Sequence, residues 1–139
     1  MNQILIDLPN EINTSRLNLR PYREGDGEEY FNLLKSNQDH LEEEVSELKK
    51  FNTIDDAEIF VRELMVAWFA RKRFVLVMLA KETNSIIGQI WIEPIKWDNR
   101  IFEIGYFISK ENEGKGLVTE AVQNSIKFIF DVRFHAFIS

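Results

Sequence analysis

Hydrophobic and polar positions alternate along the chain in stretches that predict short strands and amphipathic helices. Residues Arg16–Arg20 place leucines between polar neighbours, which is the pattern of a half-buried strand, and Pro21 ends it. Asp26, with Glu29 three residues later, predicts the capped start of a first helix. A second, short helix is expected within the polar and acidic segment Ser36–Asn52.

The strongest helical pattern follows Thr53, which forms an N-terminal capping signal with Asp56. Apolar residues then recur at steps of three and four: Ala57, Phe60, Val61, Leu64, Met65, Trp68 and Phe69. This periodicity predicts an amphipathic helix with one face on the core. We expect it to end at the basic cluster Arg71–Arg73, because positive charge suits the negative end of a helix dipole.

Three strands are predicted after this helix. Phe74–Ala80 is a continuous apolar run, which is typical of a buried strand. A turn at Lys81–Ser85 separates it from a second strand, Ile86–Ile95. A further turn at Asp98–Asn99 leads to a third strand, Ile101–Ile108, so the three strands are expected to form an antiparallel meander.

The last part of the chain reads as a loop, a helix and the start of another strand. We expect the loop at Ser109–Lys115, the helix at Leu117–Asp131 and the strand at Phe134–Ile138. The whole order predicts an α/β (α+β) fold, in which helices cover a mixed, largely antiparallel sheet. The length of 139 residues suits a single domain over residues 1–139.

Composition and charge narrow the classes of function. The net charge of -6 argues against a nucleic-acid binder, which needs clustered Lys and Arg, and suits a neutral or cationic substrate. The chain has no cysteine and two well-separated histidines, His40 and His135, so we expect neither a disulfide nor a metal site. No signal-peptide pattern or membrane-length apolar run is visible, so a cytoplasmic location away from the membrane is expected.

Chemistry is concentrated in the segment between the third strand and the last helix. Gly114 and Gly116 flank Lys115, and a helix begins directly after them. Glycines let the backbone approach a ligand, and a helix N-terminus offers free N–H groups to an anion. The spacing fits neither a Walker A loop, since Leu117 follows the second glycine, nor the dinucleotide fingerprint. The spacing alone leaves two interpretations open: a phosphate cradle or an ordinary glycine turn.

Four blocks of sequence resemble the GNAT superfamily of acetyltransferases, and within it the RimJ/RimL-type N-acetyltransferases. They are Ile12–Pro21 (INTSRLNLRP), Ile86–Ile90 (IIGQI), Trp97–Ile108 (WDNRIFEIGYFI) and Glu113–Ala121 (EGKGLVTEA). The likeness runs from about residue 12 to about residue 131. It implies a GNAT-like fold and the transfer of an acetyl group from acetyl-CoA to an amine, either a protein N-terminus or a small molecule.

The resemblance also implies which residues hold the coenzyme. The pyrophosphate would lie on Glu113, Gly114, Lys115, Gly116, Leu117, Val118 and Thr119, with Phe107 and Ile108 beside the pantetheine arm. The family pattern at this loop is Gln/Arg-x-x-Gly-x-Gly/Ala. Glu113 and Val118 depart from it, and a carboxylate at the first position would repel a pyrophosphate unless its side chain points away.

Glu103 is the candidate general base, because it lies on the strand that feeds the coenzyme site. The alternative is a structural ion pair with a neighbour such as Arg100. His40 stands where this fold places its acceptor cleft, although an exposed loop histidine is the plainer interpretation. The acidic stretch Asp39–Glu47 could attract a cationic amine or could simply be a solvated helix face.

Members of this branch normally continue for several tens of residues beyond the position that matches residue 139. The resemblance therefore implies that C-terminal strands and a helix are missing, which would leave an open sheet edge. On that basis we expect a homodimer formed through the C-terminal end and weak catalysis. A remnant that binds coenzyme A or a protein partner, without catalysis, is the alternative, as is an interaction domain whose glycine loop is only a turn.

Overall fold

A computed structural model describes residues 2–41, 51–96 and 101–138, with side chains described as far as residue 127. The strands are β1 (Ile12–Asn13), β2 (Leu17–Pro21), β3 (Phe74–Ala80), β4 (Ser85–Lys96) and β5 (Ile101–Ile108). The helices are α1 (Gly27–Ser36), α2 (Gln38–Leu41), α3 (Ile54–Phe69) and α4 (Leu117–Ile138). Short 3₁₀ turns lie at Gln3–Leu5 and Lys110–Asn112.

The five strands form one sheet in the order β1-β2-β3-β4-β5, and every neighbouring pair is antiparallel. The predicted meander of three strands is therefore confirmed. The β3–β4 register shifts between Met78 and Leu79, where Gly88 and Ile86 are the successive partners, so Ile87 is an extra residue in β4. Such a bulge bends the strand locally.

Helices α1 and α3 cover one face of the sheet. The cluster on this face contains Val75, Val77 and Leu79 of β3 and Phe107 of β5, together with buried residues of both helices such as Tyr30. Because strand side chains alternate between faces, the continuous apolar run of β3 supplies residues to both sides of the sheet.

The second face packs against the start of α4 and the N-terminal segment. Its cluster includes Leu17 and Leu19 of β2, Ile108 of β5, and Leu117 and Ala121 of α4. The sequence predicts α4 correctly as far as Asp131. The prediction of a strand at Phe134–Ile138 is wrong, because α4 continues to Ile138. No glycine or proline interrupts Leu117–Ile138, so nothing in its backbone chemistry ends the helix earlier.

The start of α3 matches its prediction. The hydroxyl of Thr53 accepts a hydrogen bond from the N–H of Asp56, and the Asp56 carboxylate accepts one from the N–H of Thr53. Hydrogen bonds from the N–H groups of Asn52 and Thr53 lower the pKa of the Asp56 carboxyl. This reciprocal cap satisfies N–H groups that a helix start would otherwise leave free.

The start of α1 differs from its prediction. Asp26 precedes the helix without capping it, and its carboxylate instead binds the guanidinium of Arg20 at 2.8 Å. The Glu29 carboxylate accepts a hydrogen bond of 2.6 Å from the N–H of Ile86. Both side chains therefore make tertiary contacts, which compete with the local cap that their spacing suggested. Of the segment predicted as a second helix, Gln38–Leu41 is helical, and residues 42–50 lie outside the described part.

Glu58 of α3 replaces the missing cap of α1. Its carboxylate accepts hydrogen bonds from the N–H groups of Gly25 and Gly27 and from the side chain of Arg62. Burial alone would raise the pKa of the Glu58 carboxyl, but these hydrogen bonds outweigh it, and the pKa lies below its ordinary value. Gly27 also lets the helices meet closely, since a Cβ there would stand 2.5 Å from the Cα of Glu58.

A second close approach lies between β4 and β5. A Cβ on Gly105 would stand 2.1 Å from the indole ring of Trp91, its partner across the two strands. The ring therefore lies directly on the backbone of β5, two residues before Phe107.

Gly27→Ala is expected to destabilise the protein by about 1–3 kcal/mol, because the new methyl group would overlap the backbone of α3. Urea unfolding measures the change in the free energy of unfolding. Glu28→Ala, at the exposed neighbouring position, is the control and should change it by less than about 0.5 kcal/mol. Equal effects of the two substitutions would show that the α1–α3 contact is looser than described.

The lowered pKa of the Glu58 carboxyl also predicts how stability depends on pH. The stabilisation is present above the unfolded-state pKa, about 4.5, and is lost as the pH falls through the lower folded-state value. The free energy of unfolding should therefore decline from about pH 5 downwards, and less steeply in Glu58→Gln. Urea titrations across this range check the slope, with Glu63→Gln on the same helix as the control. An unchanged slope in Glu58→Gln would contradict the linkage.

Candidate functional site

A cleft of about 420 Å³ opens between β5 and the start of α4. Its lining residues are His40, Tyr106, Phe107, Ile108, Asn112, Glu113, Gly114, Gly116, Leu117, Val118 and Thr119. The structure thus brings together eight of the nine residues predicted to hold a coenzyme, and Lys115 is the one outside the lining. Tyr106 and Asn112 also line the cleft, and neither could be predicted from the sequence because neither belongs to a motif.

The two glycines of the loop adopt conformations that other residues avoid. The φ angle is 72° at Gly114 and 77° at Gly116. A Cβ on Gly114 would meet no atom within 4 Å, so that position is open to a ligand. Left-handed backbone of this kind costs an L-residue roughly 1–2 kcal/mol, which explains the choice of glycine at both positions.

Helix α4 starts directly behind this loop and directs its first turn at the cleft. Its first hydrogen bond runs from the N–H of Glu120 to the carbonyl of Gly116 at 3.1 Å. The N–H groups of the first turn of a helix have no partner within the helix, and they carry its positive dipole end. Residues 117–119 all line the cleft, so these groups can bind an anion such as a phosphate.

A network of charged side chains fixes the back of the loop. The guanidinium of Arg16 donates one hydrogen bond of 2.7 Å to the carbonyl of Lys115 and another of 2.8 Å to the carboxylate of Glu120. That carboxylate also accepts hydrogen bonds from the hydroxyl of Thr14 and the N–H of Arg16. Burial alone would raise the pKa of the Glu120 carboxyl, but these contacts outweigh it and the pKa is lowered. We call Thr14, Arg16 and Glu120 the loop bracket.

The floor of the cleft is the end of β5. Phe107 is 1% exposed and belongs to the core under α1 and α3, whereas Ile108 is 6% exposed and belongs to the core under α4. A Cβ on Gly88 of β4 would stand 2.4 Å from the carbonyl of Phe107, so the two strands lie very close here. Both residues predicted to flank the pantetheine arm are core residues that also line the cleft, and their contact with a coenzyme stays a prediction.

The wall opposite α4 comes from α2. The Nε2 atom of His40 contacts a carboxylate oxygen of Glu113 directly. His40 thus reaches the cleft, which the interpretation as an exposed loop histidine did not anticipate. Next to this pair, the side chain of Asn37 accepts a hydrogen bond of 2.9 Å from the N–H of Lys110, which ties the end of α1 to the loop.

Glu103 lies on β5 outside the described wall of the cleft. It is exposed and pairs in register with Glu93 of β4, which forms an ion pair of 2.8 Å with Arg73. Phe107 lies four positions further along the same face, about 13 Å away on an extended strand. The catalytic role of Glu103 stays a prediction. Arg100, its suggested alternative partner, lies outside the described residues, as do the acidic residues of 42–47.

Over residues 2–41, 51–96 and 101–127, no group of three His, Asp or Glu side chains is arranged to hold a metal ion. Within the described part of the chain, no helix combines the length and the apolar character that crossing a bilayer requires.

Comparison with known structures shows the same fold in acetyltransferases. The microcin C7 self-immunity acetyltransferase MccE, in complex with acetyl-CoA and AMP, superposes with a TM-score of 0.78 and 24% identity. The match covers 86% of this chain and 66% of MccE. RimL, a ribosomal L7/L12 α-N-protein acetyltransferase in complex with coenzyme A, gives a TM-score of 0.75 and 16% identity over 86% of this chain and 65% of RimL.

Sequence similarity to curated proteins is local. YdaF of Bacillus subtilis (strain 168), provisionally named as a ribosomal N-acetyltransferase, is 43% identical over 48 residues, which are 34% of this chain and 26% of YdaF. The aligned segment thus covers about a quarter of the length of YdaF. The chain spans about two thirds of the length of the solved structures that it matches. The family model described as an acetyltransferase (GNAT) domain matches residues 16–138. The chain therefore belongs to the GNAT acetyltransferase domain family.

Proposed function

We propose that this chain transfers an acetyl group from acetyl-CoA to an amine. One observation carries the proposal: two glycines with positive φ lead into the open first turn of a long helix, at a cleft. Main-chain N–H groups in that arrangement suit a pyrophosphate. The choice of acetyl-CoA is supported by MccE, which has the same fold and is in complex with that molecule.

Each wall of the cleft has a part in this proposal. The N–H groups of residues 117–119 bind the pyrophosphate, and Gly114 leaves room for it. The loop bracket holds the Lys115 carbonyl at the back of the loop, so the loop keeps its shape when it is loaded. Phe107 and Ile108 flank the pantetheine arm where β5 ends.

The reaction requires an amine nitrogen to attack the acetyl carbonyl, the carbon–sulfur bond to break, and the amine proton to reach a base. In our proposal Glu103 accepts that proton, directly or through water. It is exposed to an incoming acceptor and shares with Phe107 the strand and the face that lead to the cleft.

The acceptor is proposed to be a protein N-terminus or a small-molecule amine. RimL is a ribosomal L7/L12 α-N-protein acetyltransferase, and YdaF is provisionally named for ribosomal acetylation. The net charge of -6 favours a cationic acceptor over an anionic one. A cytoplasmic location and a homodimer through the C-terminal end stay predictions from the sequence.

A second candidate function is the binding of coenzyme A or a protein partner without acetyl transfer. The observation that favours it is the position of Glu103 outside the described cleft wall. Calorimetric titration with coenzyme A, together with mass spectrometry of amines incubated with acetyl-CoA, separates the two. Binding without an acetylated product would identify the non-catalytic function.

Gly116→Ala is expected to weaken coenzyme A binding by about tenfold or more, because alanine resists the left-handed conformation that shapes the loop. Gly25→Ala is the matched control: Gly25 also has positive φ, 96°, and open space around it, but it lies before α1. Both variants should lose similar stability in thermal unfolding, while only Gly116→Ala changes the dissociation constant. Equal dissociation constants for the two variants would refute the loop as the coenzyme site.

Glu103→Gln is expected to lower kcat by about 100-fold or more and to leave the KM for acetyl-CoA unchanged, because the amide cannot accept the proton. The control is Glu93→Gln, at the facing position on β4. Initial rates with an amine that the native chain acetylates provide the measurement. A native kcat in Glu103→Gln would assign proton removal to another group.

A further inference from the structure

We propose that His40 is a positioning residue for the coenzyme site, acting through Glu113. This inference rests on the proposed function. Glu113 occupies the first position of the loop, where the family pattern has Gln or Arg, and its side chain lines the cleft. A free carboxylate there would repel a bound pyrophosphate. In the structure, the Nε2 atom of His40 contacts that carboxylate.

His40 is suited to this role by its charge. Among the described residues that line the cleft, it alone has a side chain that can become positively charged, and Glu113 alone has one that becomes negative. When its imidazole carries a proton, His40 therefore neutralises the carboxylate of Glu113, which is the one negative charge among the described lining residues. Lys35, Asp39 and Lys110 line a neighbouring hollow, which His40 also borders, and none of these three lines the cleft.

Hydrogen bonds next to each member of the pair hold the two segments in place. The hydrogen bond from the N–H of Lys110 to the side chain of Asn37 fixes the loop against the end of α1, three residues before His40. The side chain of Asn112, next to Glu113, donates to the hydroxyl of Ser109 at 2.6 Å. The His40 side chain is 24% exposed and the Glu113 side chain 46% exposed, so water screens the contact from the Glu113 side.

A double-substitution cycle follows from this arrangement. His40→Ala leaves the Glu113 carboxylate unpaired beside the pyrophosphate, so coenzyme A should bind more weakly. Glu113→Gln removes the charge that His40 compensates, so binding should be at least as tight as in the native chain. In the Glu113→Gln background, replacing His40 should then have little effect.

The experiment is calorimetric titration of the four proteins with coenzyme A at about pH 6. We expect His40→Ala to bind coenzyme A about tenfold more weakly than the native chain. Adding His40→Ala to Glu113→Gln should change the dissociation constant by less than about twofold. With acetyl-CoA as substrate, the loss should appear in KM and not in kcat. If His40→Ala does not fold, as judged by circular dichroism, His40→Gln takes its place with the same expectations.

Three outcomes would overturn the inference. Native binding by His40→Ala would show that the pair has no influence on the coenzyme. An equal loss in both backgrounds would show that His40 acts directly or through the fold, independently of Glu113. Absence of binding by all four proteins would overturn the proposed function together with this inference, whereas binding by the native chain without coupling would overturn the inference alone.

Discussion

The carboxylate of Glu120 joins three parts of the chain at one point. It lies in the first turn of α4, it accepts hydrogen bonds from Thr14 and Arg16 at the β1–β2 turn, and through Arg16 it is linked to the carbonyl of Lys115. A helix end packed on a sheet by apolar contacts alone could slide or rotate, since such contacts are non-directional. The bracket removes that freedom and fixes where the N–H groups of α4 point.

The cleft depends equally on how β5 ends. Phe107 and Ile108 are adjacent in sequence but are buried in different cores, one on each face of the sheet. The N–H of Ser109 still bonds to the carbonyl of Ile87, at 2.8 Å, before the chain turns into the loop. The floor is therefore held by both layers of the fold, while Glu113 and His40 meet across the wall through their side chains. The site thus combines a buried floor with a charge pair that is partly exposed to solvent.

How much could be predicted depended on how local each signal was. The predictions from the capping box of α3 and from the apolar run of β3 were correct, because each signal is complete within a few residues. The glycine loop was also located, because a left-handed turn before a helix demands glycine in the sequence itself. The cap predicted from Asp26 and Glu29 was wrong for the opposite reason. Their spacing suits a helix cap, but both side chains bind partners elsewhere in the fold.

The contacts that organise the site could not be predicted from the sequence, because they connect residues that are far apart in the chain. Arg16 and Glu120 stand 104 positions apart, and neither shows a pattern that names the other. His40 and Glu113 meet only because α2 is packed beside the loop. The wrong prediction of a strand at Phe134–Ile138 has a different cause. Short apolar runs occur in strands and helices alike, and here the run continues the helix α4.

The ring of Trp91 lies on the backbone of β5 at Gly105, two residues before the floor of the cleft. Indole fluorescence responds to the polarity and packing around the ring, and at this position the packing surface is the strand itself. The chain thus carries its own optical reporter beside the cleft. A ligand that shifts the end of β5 would change the surroundings of Trp91, one of three tryptophans in the chain, and so its part of the emission.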